Sequence, residues 1–341
     1  MKTRSALHCL KTAAMAVLLL LPFPLIAQSE MERGLGSICR EQAENYVGFL
    51  ADDLLEGRDA GMRGGKIAAA YIVSLLKDWG IQPLHGTDYY QPFHAAQLTK
   101  PERGAWQIHP DSICKIQARG AHRLRLMKNI LAAIPGKDTA SFVVVGAHYD
   151  HEGVAPDMAG DAIYNGADDN ASGVSAVLQI AKAFLTAGKQ PERTVIFAFW
   201  DGEEKGLLGS RHFVRTWNAP QRIKAYLNFD MVGRGPIDAP RLVRYFYTAA
   251  HPDFERWLKA DMQTYHFDFD PDYKAWERPV GGSDNASFAL AEIPIVWYHT
   301  EGHPDYTRPS DSADKIDYAK LTDITRAAFL TAWRMANEAS Y

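Results

Sequence analysis

TVIFAFWDGEEKGLLGS, Thr194 to Ser210, is the stretch from which the rest of the chain is read. Thr194 to Trp200 is an apolar, β-branched and aromatic run of strand length. It breaks at Asp201-Gly202, and two adjacent carboxylates follow, Glu203 and Glu204. Like charges side by side disfavour ionisation of both unless a cation lies beside them. Ligands of open α/β sheets bind at the carboxyl ends of the strands. The pair therefore predicts the centre of an active site.

Working outward, the 341 residues suffice for one large α/β domain or two ordinary ones, and a hydrophobic content of 47% is ample for a core. A net charge of −4 gives no electrostatic footprint for nucleic acid. The N-terminus carries Lys2, Arg4 and Lys11, then an apolar stretch from Ala13 to Ala27 interrupted by Pro22 and Pro24. That pattern predicts a signal peptide over residues 1–27, a mature domain over 28–341, and a secreted or periplasmic protein. The stretch is short for a membrane span and has no Cys at its end, so no stable membrane anchor is expected after cleavage. Cys39 and Cys114 remain beyond it, enough for one disulfide that spacing does not decide, but too few for a thiolate metal cage. A metal site here has to use His and carboxylates.

In chain order, LLEGRDAGMR from Leu54 reads as a loop leading into an amphipathic helix, Lys66 to Trp79, whose Tyr71 and Trp79 are core residues. From Ile81 to Lys128 the pattern is weak, and Arg119, Arg123, Arg125 and Lys128 read as a solvated basic face. Asn129–Ile134 and Phe142–Ala147 are candidate strands, the second apolar throughout as in strands buried on both faces. After it comes His148-Tyr149-Asp150-His151, then GADDNASG from Gly166 and a helix from Ala171 to Leu185. Ala225–Phe229, ending in Asp230, and Ile293–Tyr298, running into the His-rich loop His299–His303, are further strands. Between them Arg234 to Gly282 is irregular, with one helix near Phe254–Met262 and aromatic residues Tyr265 to Trp276 that either shape a pocket or fill the core. A helix from Ala319 to Asn337 closes the chain. Strands alternating with helices predict a single α/β domain, three-layered, with a central mixed, mostly parallel sheet.

Four of these strands end in groups that bind divalent metals: His148, Glu203-Glu204, Asp230, and His299 to His303. Asp169 stands at a helix start. Singly, such a His or Asp is as well explained by packing or helix capping. Together they would share one rim of a parallel sheet. Imidazole nitrogen with carboxylate oxygen and no thiolate suits zinc.

The motifs VVVGAHYDH, GADDNASG, FAFWDGEEKGLLGS, LNFDMVG and HPDYTRPSDSADKID, with LLEGRDAGMRGG before them, resemble the co-catalytic zinc aminopeptidases. That superfamily also contains glutamate carboxypeptidase and the animal-type glutaminyl cyclases. The resemblance spans nearly the whole mature chain. It implies a peptide substrate with a free N-terminus, one or two zinc ions, His148 and Asp230 on one ion, and Asp169 bridging. It also implies Glu204 on the other ion, Glu203 as general base, and Asp150 as the partner of His148. A cis peptide is expected at Asp169–Asn170. The 77 residues from Asp230 to Thr307 leave no room for a dimerisation lid, and the segment between Trp79 and Asn129 none for a protease-associated domain.

One position departs from the pattern. The last ligand of the family is a His, and Thr307 occupies its place. Three expectations follow: His303 substitutes, the second zinc is weak or absent, or the protein is a degenerate homologue. The function expected is hydrolysis of an N-terminal peptide bond. A glutaminyl cyclase-like acyltransferase with one zinc and a non-catalytic metal-binding homologue are the alternatives.

Overall fold

The structure, a computed structural model, describes residues 29–278 and 281–341. The predicted signal peptide lies outside the described residues. In chain order the elements are α1 (Glu30–Gly36), α2 (Arg40–Leu50), α3 (Arg63–Asp78), β1 (Gln82–Pro83), β2 (Tyr90–Leu98), α4 (Pro110–Arg119), β3 (His122–Ile134) and β4 (Asp138–His148). They continue with β5 (Gly153–Val154), β6 (Ile163–Tyr164), α5 (Gly173–Ala187), β7 (Arg193–Trp200), α6 (Leu208–Thr216), β8 (Ile223–Phe229), β9 (Leu242–Thr248) and α7 (Asp253–Tyr265). The last are β10 (Asp270–Trp276), α8 (Asn285–Ala289), β11 (Ile295–His299) and α9 (Tyr318–Asn337).

Period-2 side-chain alternation splits each central strand between two apolar layers. On β7, Val195, Phe197 and Phe199 face the larger core with α5 and α9, while Ile196, Ala198 and Trp200 face α6 and α8. Val143 and Val145 of β4 point the first way and Val144 the second. Both faces being covered, the strands have no polar side, and the architecture is the three-layered α/β/α sandwich expected. The sheet runs β1-β3-β7-β4-β8-β11-β9-β10, with β2 also on β3. Its centre, β7-β4-β8-β11, is parallel, and antiparallel pairings add β3 on one side and β9 on the other. The carboxyl ends of the four parallel strands therefore open on one rim.

Three expectations need correction. The weakly patterned stretch 81–128 forms the long antiparallel pair β2–β3 with α4 across it, and Phe93, Ala95, Trp106 and Met127 make a small core of their own. Arg119 and Arg123 are exposed as expected, but Arg125 is not part of a solvated face. Its guanidinium grips Asp59 bidentately, at 2.7 and 2.8 Å. The irregular region 234–282 contains β9 and β10, and its aromatic residues mostly pack in or against the larger core, although Trp276 also lines surface cavities with Glu277 and Arg278. Phe267 and Phe269 belong to the larger core, and Trp276 sits edge-on against Phe246. Cys39 and Cys114 are free thiols, the first half-buried and the second exposed. Among the described residues no helix is long and apolar enough to cross a membrane.

Candidate metal centre

His148, Glu203, Glu204 and Asp230 reach the rim where their strands stop, and Asp169 reaches it from a turn. β4 ends at His148, whose side chain is 1% exposed. Its Nε2 is buried and unpaired, 3.4 Å from Asp169 Oδ1 and 3.6 Å from Asp230 Oδ2. These separations are long for hydrogen bonds. They match the edge of a tetrahedron, about 3.3–3.4 Å, whose corners lie ~2.0–2.1 Å from a central zinc ion. The donor set of one imidazole and two carboxylates fits zinc on geometry as well as on chemistry.

Asp169 is brought to the rim by an irregular turn, Ala167–Ser172, that precedes α5. The Asp169–Asn170 peptide is cis, as expected. Asn170 ties the turn to the end of β8: its Nδ2 donates to Phe229 O, and its Oδ1 accepts from Gly173 and Met231 N–H. A Cβ on Gly173 would lie 2.3 Å from that oxygen, so the close approach requires glycine. The amides of Asp168 and Asp169 donate to Asp311 Oδ2, at 2.9 and 3.1 Å.

After β7, the Glu203 N–H donates to Asp150 Oδ1 at 3.0 Å, which sets the carboxylate pair over the end of β4. Oxygens of Glu203 and Glu204 and a nitrogen of His148 all lie within 4.8 Å of one another. The Asp150 carboxylate stands 3.8 Å from His148 Nδ1, while the backbone oxygen of Asp150 is 3.2 Å from it. Asp150 thus steadies His148 through its carbonyl and Glu203 through its side chain.

His303 is not where the departure at Thr307 led us to expect it. Its ring is buried, but Nε2 faces Asp168 Oδ2 at 3.3 Å and Asp311 Oδ1 at 4.0 Å, and it joins none of the convergent ligand groups among the described residues. Thr307 itself is exposed. Instead His151, three residues after His148, places Nδ1 2.7 Å from Glu204 Oε1 and 3.9 Å from Asp169 Oδ2. The quoted HYDH motif contained this residue, yet nothing in its local pattern says where its ring points.

A second residue missed by sequence is Arg58, from LLEGRDAGMR. It is 1% exposed, and its guanidinium donates to the backbone oxygens of Leu50, Tyr149, Asn165 and Gly166, with a longer contact of 3.5 Å to that of Asp169. Its own carbonyl accepts the His151 N–H. One buried cation therefore clamps the loops that carry His151 and Asp169.

Electrostatically the rim has an excess of acid. Burial, reinforced by neighbouring carboxylates, pushes Glu204 up to about 7 and Glu203 well above the usual range. Asp150 and Asp284 are pushed to about 7 mainly by burial, as is Asp311, and Asp201 to about 8. Asp230 runs the other way: burial raises it, but the charges of His148 and His299 and the contacts with His148 and Ser283 together hold it below the usual range. Burial keeps His151 neutral, down to about 4. Tyr306, half-exposed at the mouth, is raised to about 12 by partial burial and the carboxylates below, so it is a hydroxyl donor at neutral pH.

Two outcomes are expected. Arg58→Met leaves buried carbonyls without donors, each worth about 1–3 kcal/mol, and should destabilise the protein by more than about 3 kcal/mol in urea unfolding. A loss under about 1 kcal/mol would contradict the clamp. For the chelator-treated protein, five carboxylates have folded pKa values near 7–8 against roughly 4 unfolded. Against them, His151 and His212 are depressed to about 4. Between pH 5 and 7.5 the folded chain thus binds more protons than the unfolded one, and its stability falls as pH rises. Its melting temperature should be higher at pH 5.5 than at pH 7.5, with the gap narrowing when zinc is restored. A metal-free protein more stable at pH 7.5 would refute this charge balance.

Comparison with known proteins agrees with this picture. A probable leucine aminopeptidase of Arthroderma otae is 29% identical over 287 residues, covering 80% of this chain and 74% of that one. Leupeptin-inactivating enzyme 1 of Streptomyces exfoliatus is 32% identical over 191 residues, 55% of this chain but only 38% of that protein. Among solved structures, an aminopeptidase from Aneurinibacillus sp. strain AM-1 superposes with a TM-score of 0.67 at 16% identity, covering 91% of this chain and 97% of its own. The glutaminyl cyclase of Fimbriiglobus ruber superposes with a TM-score of 0.64 at 18% identity, covering 87% and 95%. At these identities the likeness is one of fold. The model of peptidase family M28 matches residues 129–332, more than half the sequence and all of the rim residues above, and the chain belongs to that family.

Proposed function

We propose that the protein is an exported zinc-dependent aminopeptidase that removes residues from the N-terminus of peptides. The observation that carries this reading is the convergence of Asp169 and Asp230 on His148 Nε2, at 3.4 and 3.6 Å, with Glu203 and Glu204 beside them. His148, Asp169 and Asp230 would hold zinc. A bound zinc ion supplies a Lewis acid for the scissile carbonyl and lowers the pKa of a coordinated water. Glu203 is the general base. Its raised proton affinity suits it to take a proton from the attacking water and return it to the leaving amine. Asp150, gripping the Glu203 amide, keeps that carboxylate oriented. The acidic rim favours a substrate with a free ammonium group at the cut end, and the Tyr306 hydroxyl is available to a developing oxyanion. The leader segment with Lys2, Arg4 and Lys11 before an apolar run supports export.

Glu203→Gln keeps the size and the backbone anchor but removes the base. It should lower kcat for an amino-acid p-nitroanilide by about 10²–10⁴-fold with KM nearly unchanged, and with zinc content unaltered. An unchanged kcat would remove Glu203 from the chemistry. Conversion of an N-terminal Gln peptide to pyroglutamate in place of hydrolysis would overturn the aminopeptidase reading in favour of the acyltransferase.

A further inference from the structure

The Asp169 carboxylate looks both ways. Its Oδ1 faces His148 and its Oδ2 faces His151. On the His151 side a second set of ligand atoms converges within 4.8 Å: His151, Asp169 and Glu204. We infer that His151 is the third protein ligand of a second zinc ion, bridged to the first through Asp169, and that it supplies the imidazole missing at Thr307. This rests on the zinc reading above and extends it to the number of ions and the identity of a ligand.

His151 is built to point where it does. Its ring is fully buried, and its backbone N–H is bound by Arg58 O. The ring lies against Gly166, where a Cβ would come within 2.5 Å of Cδ2, so the residue that packs on the imidazole has to lack one. With backbone and ring both fixed, Nδ1 is aimed at the two carboxylates. Thr307 is exposed and offers only a neutral hydroxyl, a poor zinc ligand. His303 Nε2 lies beside Asp168 and Asp311, at 3.3 and 4.0 Å, and does not converge with Asp169 and Glu204.

The simpler account of a 2.7 Å Nδ1···Oε1 contact is a hydrogen bond from His151 to Glu204 with no ion involved. Both ligands of a tetrahedral zinc would have to stand about 3.3–3.4 Å apart, so this contact opens by roughly 0.6 Å when an ion enters. The two accounts differ in what a glutamine would do. His151→Gln can donate the same hydrogen bond to Glu204 but is a poor zinc ligand.

The test is calorimetric titration of the chelator-treated full chain with zinc, with zinc per chain confirmed by elemental analysis, for the natural protein, His151→Gln and His151→Ala. Two ions are expected for the natural protein. In both variants the second should bind more than about 100-fold more weakly, beyond the ~10–100-fold that loss of a ligand's hydrogen-bond partner costs. The first ion should change by less than about tenfold. Two ions of undiminished affinity in His151→Gln would overturn the proposal, whatever His151→Ala does to folding. A single ion in the natural protein would overturn the second site while leaving that of His148, Asp169 and Asp230 standing. No ion at all would bring down the zinc reading itself.

Discussion

Everything at the rim follows from gathering carboxylates where water is scarce. Asp150, Asp169, Asp230, Glu203 and Glu204 come together at the ends of β4, β7 and β8, with Asp284 also close enough to feel His148 and Asp230. Desolvation penalises each charge, and each negative neighbour adds to the penalty. The arrangement is tolerable in two ways. Carboxyls can retain protons near neutrality, as the raised values of Glu204 and Asp150 indicate, or cations can be brought in. A fold that stored these acids for stability alone would be better served by apolar side chains. Their gathering at the strand-end rim, where ligands of such sheets bind, is what supports the proposal of a cation there.

Arg58 supplies part of that positive charge permanently. The guanidinium is nowhere in direct ion-pair contact with the rim acids. It spends its donors on backbone oxygens of three segments, and its charge acts on Asp169, Asp311, Asp150 and Glu204 through the low-dielectric interior. The residue is thus structural and electrostatic at once, and burial lowers its own pKa to about 10 as the cost. The turn that bears it has three successive residues at positive φ, Glu56, Gly57 and Arg58, and Gly57 lies so close to Gly153 O that a Cβ would sit 2.3 Å away. The segment before α3 is therefore part of the architecture that holds the rim, although it contributes no proposed ligand.

The parts legible in the sequence were those decided by local pattern. Continuous apolar runs in Phe142–Ala147 and Thr194–Trp200 announce strands buried on both faces, and the rim rule then places His148, Glu203, Glu204 and Asp230 together without any contact being known. The parts that were not legible depend on partners remote in sequence. β2 and the first half of β3 are half-exposed and mixed in polarity, so they gain their identity only by pairing with each other, while the legible second half of β3 continues onto β7. Arg125 reads as one more surface cation until Asp59, 66 residues away, is found beside it. His303 lies in the right loop for a ligand, but its Nε2 comes to lie beside Asp168 and Asp311 instead. His151 follows the strand by three residues, and its direction is set by Arg58 and Gly166, neither of which is a neighbour in sequence.

The account stands most directly on the position of zinc. Crystals of the zinc-loaded protein, measured on either side of the zinc absorption edge, should give an anomalous peak between His148 Nε2, Asp169 and Asp230. A second peak should lie on the opposite oxygen of Asp169, toward His151 and Glu204. Anomalous density confined to surface residues, with His148 and Asp169 in direct contact and nothing between them, would contradict the claim that this rim is a metal centre.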